Sequence, residues 1–525
     1  MISLPFKKSA VVLAFLLIGS CGGGGGGGGG SGTPPGGGSG GIPPLTNGFE
    51  VWDSAYAPAV GQAGKLCMAF SAGASAGQIG ASRLFVNGYL EASDLAGTVD
   101  SAGNVAMSST AFPVQFSALV DAAATNLFGT FSGTSAIGSG AFSGGRVAGK
   151  FGCFWERFGT PAALDVASAN NAFTPAIAVN ALNQPVVAFV EEVLGTPVSG
   201  STPFEDKLYV KRWDGAQWVQ LGGSLNTGNN DVTYQPHVAL DASGNPVVAW
   251  SERNKLSLVD EAYVKRWNGA SWDSLGGLLN NLASQLTRNQ GVIVDAGGNP
   301  VVALSYLNAM TQFDTRVMKW DGVSAAWVQL GSTLLDAFVH DLKNNPADGN
   351  PVAVYQDSVN PLFAARWDGA TWASLGIGSI VTTVGPVASA VLAYSAGAPV
   401  VVYDYNPGGG SKLAAMTVVS SAWAQLIPGV SFDPFGNKMT PQIAVDPTDN
   451  RVVVAAATNS TGGIVVKKAL ADRWKQVGEL SDHNLFSVAS PALAFDGTGR
   501  LFAAQSQAAT AGNRDIVVNS WPTPN

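Results

Sequence analysis

One phrase of residues recurs across about seventy per cent of this chain, and that repetition restricts the fold more than any composition does. It is clearest from residue 207 as KLYVKRWDGAQWVQLGG, followed from residue 235 by QPHVALDASGNPVVAW. It returns as AYVKRWNGASWDSLGG with GVIVDAGGNPVVAL, and again as RVMKWDGVSAAWVQLG. Two columns track it. A tight turn between apolar runs aligns Pro185, Pro246, Pro300, Pro351, Pro399, Arg451 and Arg500, at intervals of 48 to 61 residues. The later tryptophan of Trp-x-x-Leu-Gly or a relative aligns Trp218, Trp272, Trp327, Trp372, Trp423 and Trp474.

Seven turns against six tryptophans leave one strand missing. The chain ends at DIVVNSWPTPN, after its seventh third-strand run, and the absent strand is found upstream as CFWERFG. There Trp155-Glu-Arg-Phe158-Gly159 aligns with Trp218-Val-Gln-Leu221-Gly222. A repeat divided between two ends closes a ring and leaves no open sheet edge. The fold class expected is therefore all-β, a seven-bladed β-propeller over 151–525 closed by strand 151–159, behind a smaller antiparallel β-sandwich or barrel-like domain. The repeats resemble the WD-repeat architecture, because Trp-Asp ends the third strand at Trp213, Trp320 and Trp367, although the Gly-His marker is missing. They also look like secreted propellers with Asp-x-x-Gly-Asn hairpins. The likeness implies an architecture and no activity.

Residues 1–20 read as a targeting segment, with Lys7 and Lys8 before an apolar core from Ala10 to Ile18. The ending Leu17-Ile18-Gly19-Ser20-Cys21 resembles a bacterial lipobox, which implies lipidation at Cys21. Residues 21–44 follow as a tether: nine glycines from Gly22 to Gly30, then SGTPPGGGSGGIPP. Such a chain cannot bury apolar surface and stays a coil with a mean span of about 25–30 Å. The expected location is the bacterial cell envelope, lipid-anchored at the outer membrane or cell surface. With Cys21 carrying lipid, Cys67 and Cys153 are an even pair in an oxidising compartment, and a disulfide is expected between them.

Residues 45–150 do not follow the repeat. They alternate apolar and small polar residues in six to eight short runs with Asn-Gly and Gly-Gly turns. Only 12% of the chain is charged, while 66 residues are Gly and 28 Pro, a composition suited to packed strands and tight turns. The net charge of -8, without a basic block, argues against a nucleic-acid partner. After residue 20 the chain has no apolar run long enough to span a bilayer.

Within a repeat, the hairpins from inner to second strand and from third to outer strand are short. The other connections, such as VEEVLGTPVSGSTPFEDK and GSLNTGNNDVTYQ, are long and variable. Binding residues tend to sit on variable loops over a rigid scaffold. The chain leaves each second strand on that face through a polar or aromatic column. Its members Glu191, Glu252, Tyr306, Asp357, Asp404 and Tyr405 are the candidate ligand-binding residues, converging on the mouth of the ring.

Catalytic signals are weak. His237, His340 and His483 fall at different repeat positions without a nucleophile beside them, and His237 reads as an axial residue bonded to a neighbouring blade. The turns at Asp241, Asp295 and Asp496 lack the further carboxylates of a calcium loop and read as capped turns. A sialidase would need an arginine triad and a Tyr/Glu pair, and inner strands such as PAIAVNA and PQIAVDP offer no arginine. The recurring tryptophans read as packing between blades. No catalytic residue, metal or cofactor is assigned. The expected function is that of an anchored extracytoplasmic module binding a protein or glycan partner. A polysaccharide-active hydrolase or lyase with acidic residues at the mouth is the alternative.

Overall fold

The computed structural model describes 37 strands and most of their connections between residues 50 and 521. Residues 1–49 and 522–525 lie outside it, as do 59–63, 71–81, 87–90, 110–113, 121–125, 134–138, 148–154, 196–203, 281–286, 382–386, 433–437, 459–463, 480–490, 509–512 and some shorter breaks. Cys21, the tether and the Cys67–Cys153 pairing therefore fall outside the described residues. The described residues are all-β, and none forms a helix long and apolar enough to cross a membrane. The chain divides into two compact units, residues 1–153 and 154–525.

In the first unit eight antiparallel strands, from Glu50–Pro58 to Ser139–Val147, close into a barrel. Closure pairs the first strand with the last, Val51 opposite Val147 and Pro58 opposite Gly140. Alternation sorts the wall: Val105, Met107, Val114, Phe116 and Phe131 are buried, while Gln115, Ser117 and Thr130 between them are exposed. Gly97 is required in this wall, because a Cβ there would stand 2.1 Å from the Ala106 carbonyl oxygen.

The second unit is a β-propeller of antiparallel sheets in the strand order inner, second, third, outer. The first sheet comprises Asn171–Val179, Pro185–Leu194, Phe204–Trp213 and Trp218–Gln220. The pattern repeats to the sixth sheet, which ends at Trp474–Glu479. In the seventh, Ala492–Phe495, Leu501–Ala508 and Arg514–Trp521 take Glu156–Arg157 as their outer strand, with Asn519 opposite Arg157 and Ser520 opposite Glu156.

Second strands are apolar on both faces because both faces are covered. Val186 to Val190, Val247 to Trp250 and Val301 to Leu304 are almost wholly inaccessible. Each apolar cluster joins two neighbouring sheets. One contains Val248 and Trp250 with Val186 and Val190, and another sets Ile516, Val518 and Phe502 of the seventh sheet against Val187 and Phe189 of the first. The row of sheets thus returns on itself.

Tryptophans hold the rim. The indole Nε1 of Trp272 donates to the Leu221 carbonyl (2.6 Å), Trp327 to Leu275 (2.8 Å), Trp372 to Leu330 (2.8 Å) and Trp423 to Leu375 (3.1 Å). Every acceptor lies three residues beyond the tryptophan of the preceding sheet. The following glycine is needed for two reasons. Gly159 has φ +87 and Gly376 φ +84, and a Cβ on either would meet the next indole at 2.4 or 2.6 Å.

Candidate functional site

Three of the expected ligand-binding carboxylates are buried in internal contacts. Glu191 accepts from the amides of Val166 (2.7 Å) and Ala167 (3.0 Å) and from Asn170 Nδ2 (2.8 Å). Glu252 accepts from Asn226 Nδ2 (2.8 Å), Trp250 Nε1 (3.1 Å), the Thr227 amide (3.1 Å) and the Thr227 hydroxyl. Asp404 accepts from the amides of Ser389 and Thr440. A second strand ends just where the connection into an inner strand passes over it. A carboxylate there gathers amides that would otherwise be buried without acceptors.

The other three have different surroundings. Tyr306 is buried with the Arg316 guanidinium 5.3 Å from its ring centroid, and Tyr405 packs on Tyr403 at 5.8 Å. Asp357 is half-buried, and its amide turns toward Pro361. Phe313 begins a third strand and packs on Phe338 at 5.0 Å. At Glu191, Glu252 and Asp404 the column supplies acceptors to buried donors.

The concave site lies one strand further in. A cavity of about 420 Å³ is lined by the inner strands of the second to sixth sheets, at the ends where those strands begin. Bulges build it. Pairing slips between Asn289 and Gly291 in the third sheet and between Val339 and Asp341 in the fourth. The fifth slips between Val387 and Ser389, and the sixth between Met439 and Gln442. The residues so inserted, Gln290, His340, Ala388, Thr440 and Pro441, all line the cavity. An extra residue in one strand has no opposite number and is re-aimed out of the ladder. In the second sheet the inner strand breaks between Thr233 and His237, and Tyr234 and His237 line the wall.

Arg288 corrects the expectation that inner strands carry no arginine, since it belongs to the inner strand Thr287–Val294. Its Nε donates to Asp260 (3.1 Å), and its guanidinium lies 4.2 Å from the centroid of the Tyr234 ring. The Tyr234 hydroxyl donates to the other Asp260 oxygen (2.9 Å). Burial, with Asp260 adding to it, pushes the Tyr234 phenol above its ordinary range. Next to this group Asn289 is 7% exposed and its amide donates to Ser251 Oγ (2.7 Å); among the described residues neither polar atom of its side chain, both shut off from solvent, has a hydrogen-bond partner.

No family model matches the chain. No curated protein matches it either. Solved structures similar to it include a protein of unknown function from Dyadobacter fermentans, 12% identical over 69% of this chain and 100% of that one, with a TM-score of 0.41. A Trypanosoma rangeli sialidase is 14% identical over 67% of this chain and 55% of its own, with a TM-score of 0.40, so this chain spans about half its length. A Penicillium chrysogenum α-L-arabinanase complexed with arabinobiose is 15% identical over 70% and 96%, with a TM-score of 0.39.

Beside Arg288, the fourth sheet contributes Asp341, Lys343 and His340. Asp341 pairs with Lys343 (3.2 Å) and accepts the amides of Leu342 and Leu392, both at 2.8 Å. His340 shares a 3.1 Å hydrogen bond with Gln356, and burial lowers its pKa against that bond's pull. Burial likewise takes His237 down to about 4, with Asp341 opposing and Lys343 assisting, so both imidazoles are neutral at pH 7. Among the described lining residues Asp341 is the one carboxylate, and it already accepts from three internal donors. The wall offers amides, hydroxyls, neutral imidazoles and aromatic rings, which is chemistry for holding a polar ligand in place.

The sequence did carry one signal for the bulges. Proline inside an inner strand, at Pro175, Pro236 and Pro441, cannot donate to the ladder and marks an irregularity there.

Proposed function

We propose that this protein is an envelope-anchored β-propeller, tethered by lipid on Cys21, that binds a glycan in its axial cavity without cleaving it. One observation carries the reading: a cavity of about 420 Å³ on which the inner strands of five sheets converge, walled by aromatic rings, neutral imidazoles and polar side chains. A concave wall of aromatic rings with a few converging polar groups is the kind of surface that holds a small polyhydroxyl ligand. Hydrolysis by the usual pair of carboxylates is disfavoured, because the described wall presents only Asp341. The test is a glycan array probed with the full chain in detergent micelles, followed by chromatography of each bound glycan. Binding with the glycan recovered intact supports the proposal, whereas a blank array removes it.

The Tyr234–Asp260 hydrogen bond beneath Arg288 favours a second reading, hydrolysis with the phenol as nucleophile and the carboxylate as its base. Cleaved product that disappears in Tyr234→Phe would establish it.

A further inference from the structure

We infer that the axial cavity takes an acidic saccharide, with one sugar carboxylate seated on the guanidinium of Arg288 and another reaching Lys343. The inference rests on the glycan reading above and names the class of glycan.

Two ion pairs in the wall are turned the same way. Arg288 is paired with Asp260 at 3.1 Å, and Lys343 with Asp341 at 3.2 Å. The cationic side chains are 45% and 47% exposed, whereas their carboxylate partners are 1% and 12% exposed. Asp260 accepts from Tyr234 as well as Arg288, and Asp341 accepts two backbone amides besides Lys343. Each pair keeps its negative end inside the protein and turns its positive end outward. Both cations line the cavity, and the two histidines of the wall add no charge at neutral pH. In a chain of net charge -8, this wall is a local reversal of sign that attracts an anion.

Arg288 is shaped to grip a carboxylate. Its guanidinium lies over the Tyr234 ring, 4.2 Å from the centroid, and its Nε is taken by Asp260. Those two contacts fix the plane of the group. Among the described residues its terminal nitrogens have no hydrogen-bond partner, so the fork that meets a carboxylate through two parallel bonds is open. A carboxylate drawn out of water without a cation is strongly disfavoured. An acidic sugar therefore needs such a wall, and an uncharged one does not.

The two cations stand at different depths. Arg288 lies opposite Ser305, five residues past Pro300, and Lys343 opposite Val352, one residue past Pro351. The two prolines hold the same place in their sheets, so the cations are offset by four residues along the strands, about 13 Å at the usual rise. A saccharide entering end-on meets Arg288 near the mouth and Lys343 further in, a spacing for a chain with more than one acidic sugar.

The test uses the full chain in detergent micelles and calorimetric titration. The probes are digalacturonate, trigalacturonate and a glucuronate-containing disaccharide, with maltose, cellobiose and lactose as uncharged counterparts and a sulfated lactose as a second anion. The expected result is that at least one uronate binds more tightly than every uncharged or sulfated probe. Its affinity should fall about tenfold or more in Arg288→Gln, and several-fold in Lys343→Gln at unchanged melting temperature. Arg288→Gln deprives buried Asp260 of its cation. If that variant folds poorly, Arg288→Lys, which keeps the charge and loses the fork, replaces it with a several-fold weakening expected. A structural role alone would lower the melting temperature and leave the preference for uronates over uncharged sugars as it was. Equal or tighter binding of uncharged or sulfated probes, or undiminished uronate binding in the variants, overturns the inference and leaves the glycan reading standing. So does failure of every uronate alongside a positive glycan array. Failure of every probe together with a blank array overturns both.

Discussion

The indole Nε1 of Trp155 donates a 3.0 Å hydrogen bond to the carbonyl of Val477, 322 residues further along the chain. Trp218 Nε1 in turn donates to the Phe158 carbonyl at 3.2 Å. The residues just before the first sheet therefore serve both as a donor to the sixth sheet and as an acceptor from the first, as the rim does in the first four sheets. Ring closure is made by the same contact as the rest of the rim.

Trp155→Phe should cost about 1 kcal/mol through the lost hydrogen bond, and Trp155→Ala about 3–5 kcal/mol through the cavity it leaves beside Val453 and Trp521. Urea denaturation of the two variants checks this. A Trp155→Ala protein as stable as the parent would show that the seam carries no load.

Glu252→Ala should strip the acceptor from four donors in a site that is 1% exposed, at a cost of about 3 kcal/mol or more. Glu191→Ala should behave alike, and Asp357→Ala, half-buried, should have little effect. Thermal melting in parallel with saccharide titration separates the roles. Loss of binding at unchanged melting temperature would return these carboxylates to a ligand site.

Stability should depend on pH from two sides. Asp165 is raised from 3.8 to about 7, first by burial and then by the Asp515 carboxyl beside it. Its contribution is complete below 3.8 and is lost as pH rises through about 7. His237 is lowered from 6.5 to about 4, so its contribution is complete above 6.5 and is lost as pH falls through about 4. Both slopes fall between about pH 4 and 7 with opposite signs, so melting curves across that window should show Asp165→Asn removing a loss of stability with rising pH and His237→Gln removing a loss with falling pH.

Cys21→Ala should move the protein from the membrane pellet to the soluble fraction while its melting temperature is kept. An unchanged pellet fraction would end the lipid-anchor proposal.

The fold class was legible because repetition multiplies a weak signal. One Trp-x-x-Leu-Gly says little, but six in register define a rim, and the second strands, covered on both faces, are almost continuously apolar. The candidate site was not legible for a matching reason. Glu191 and Glu252 share a repeat position at which each accepts from the connection leading into its inner strand, so their regularity accompanies an internal contact. The lining residues Gln290, His340, Ala388 and Thr440 have no common chemistry and show no column. What they share is a backbone slip, and in sequence only the inner-strand prolines hint at it. Arg288 was hidden by an inner strand that begins earlier than its apolar core suggests.

Those slips have a consequence for how such a protein can change. A residue added by a bulge has no cross-strand partner, so its identity is uncoupled from the apolar clusters between sheets. Gln290, His340, Ala388 and Thr440 are sockets into which different side chains can be set without re-registering a single strand. Lineages sharing this ring could therefore diverge in what they recognise while remaining almost superimposable in their cores, and a library randomised at these four positions would sample ligand preference at constant architecture.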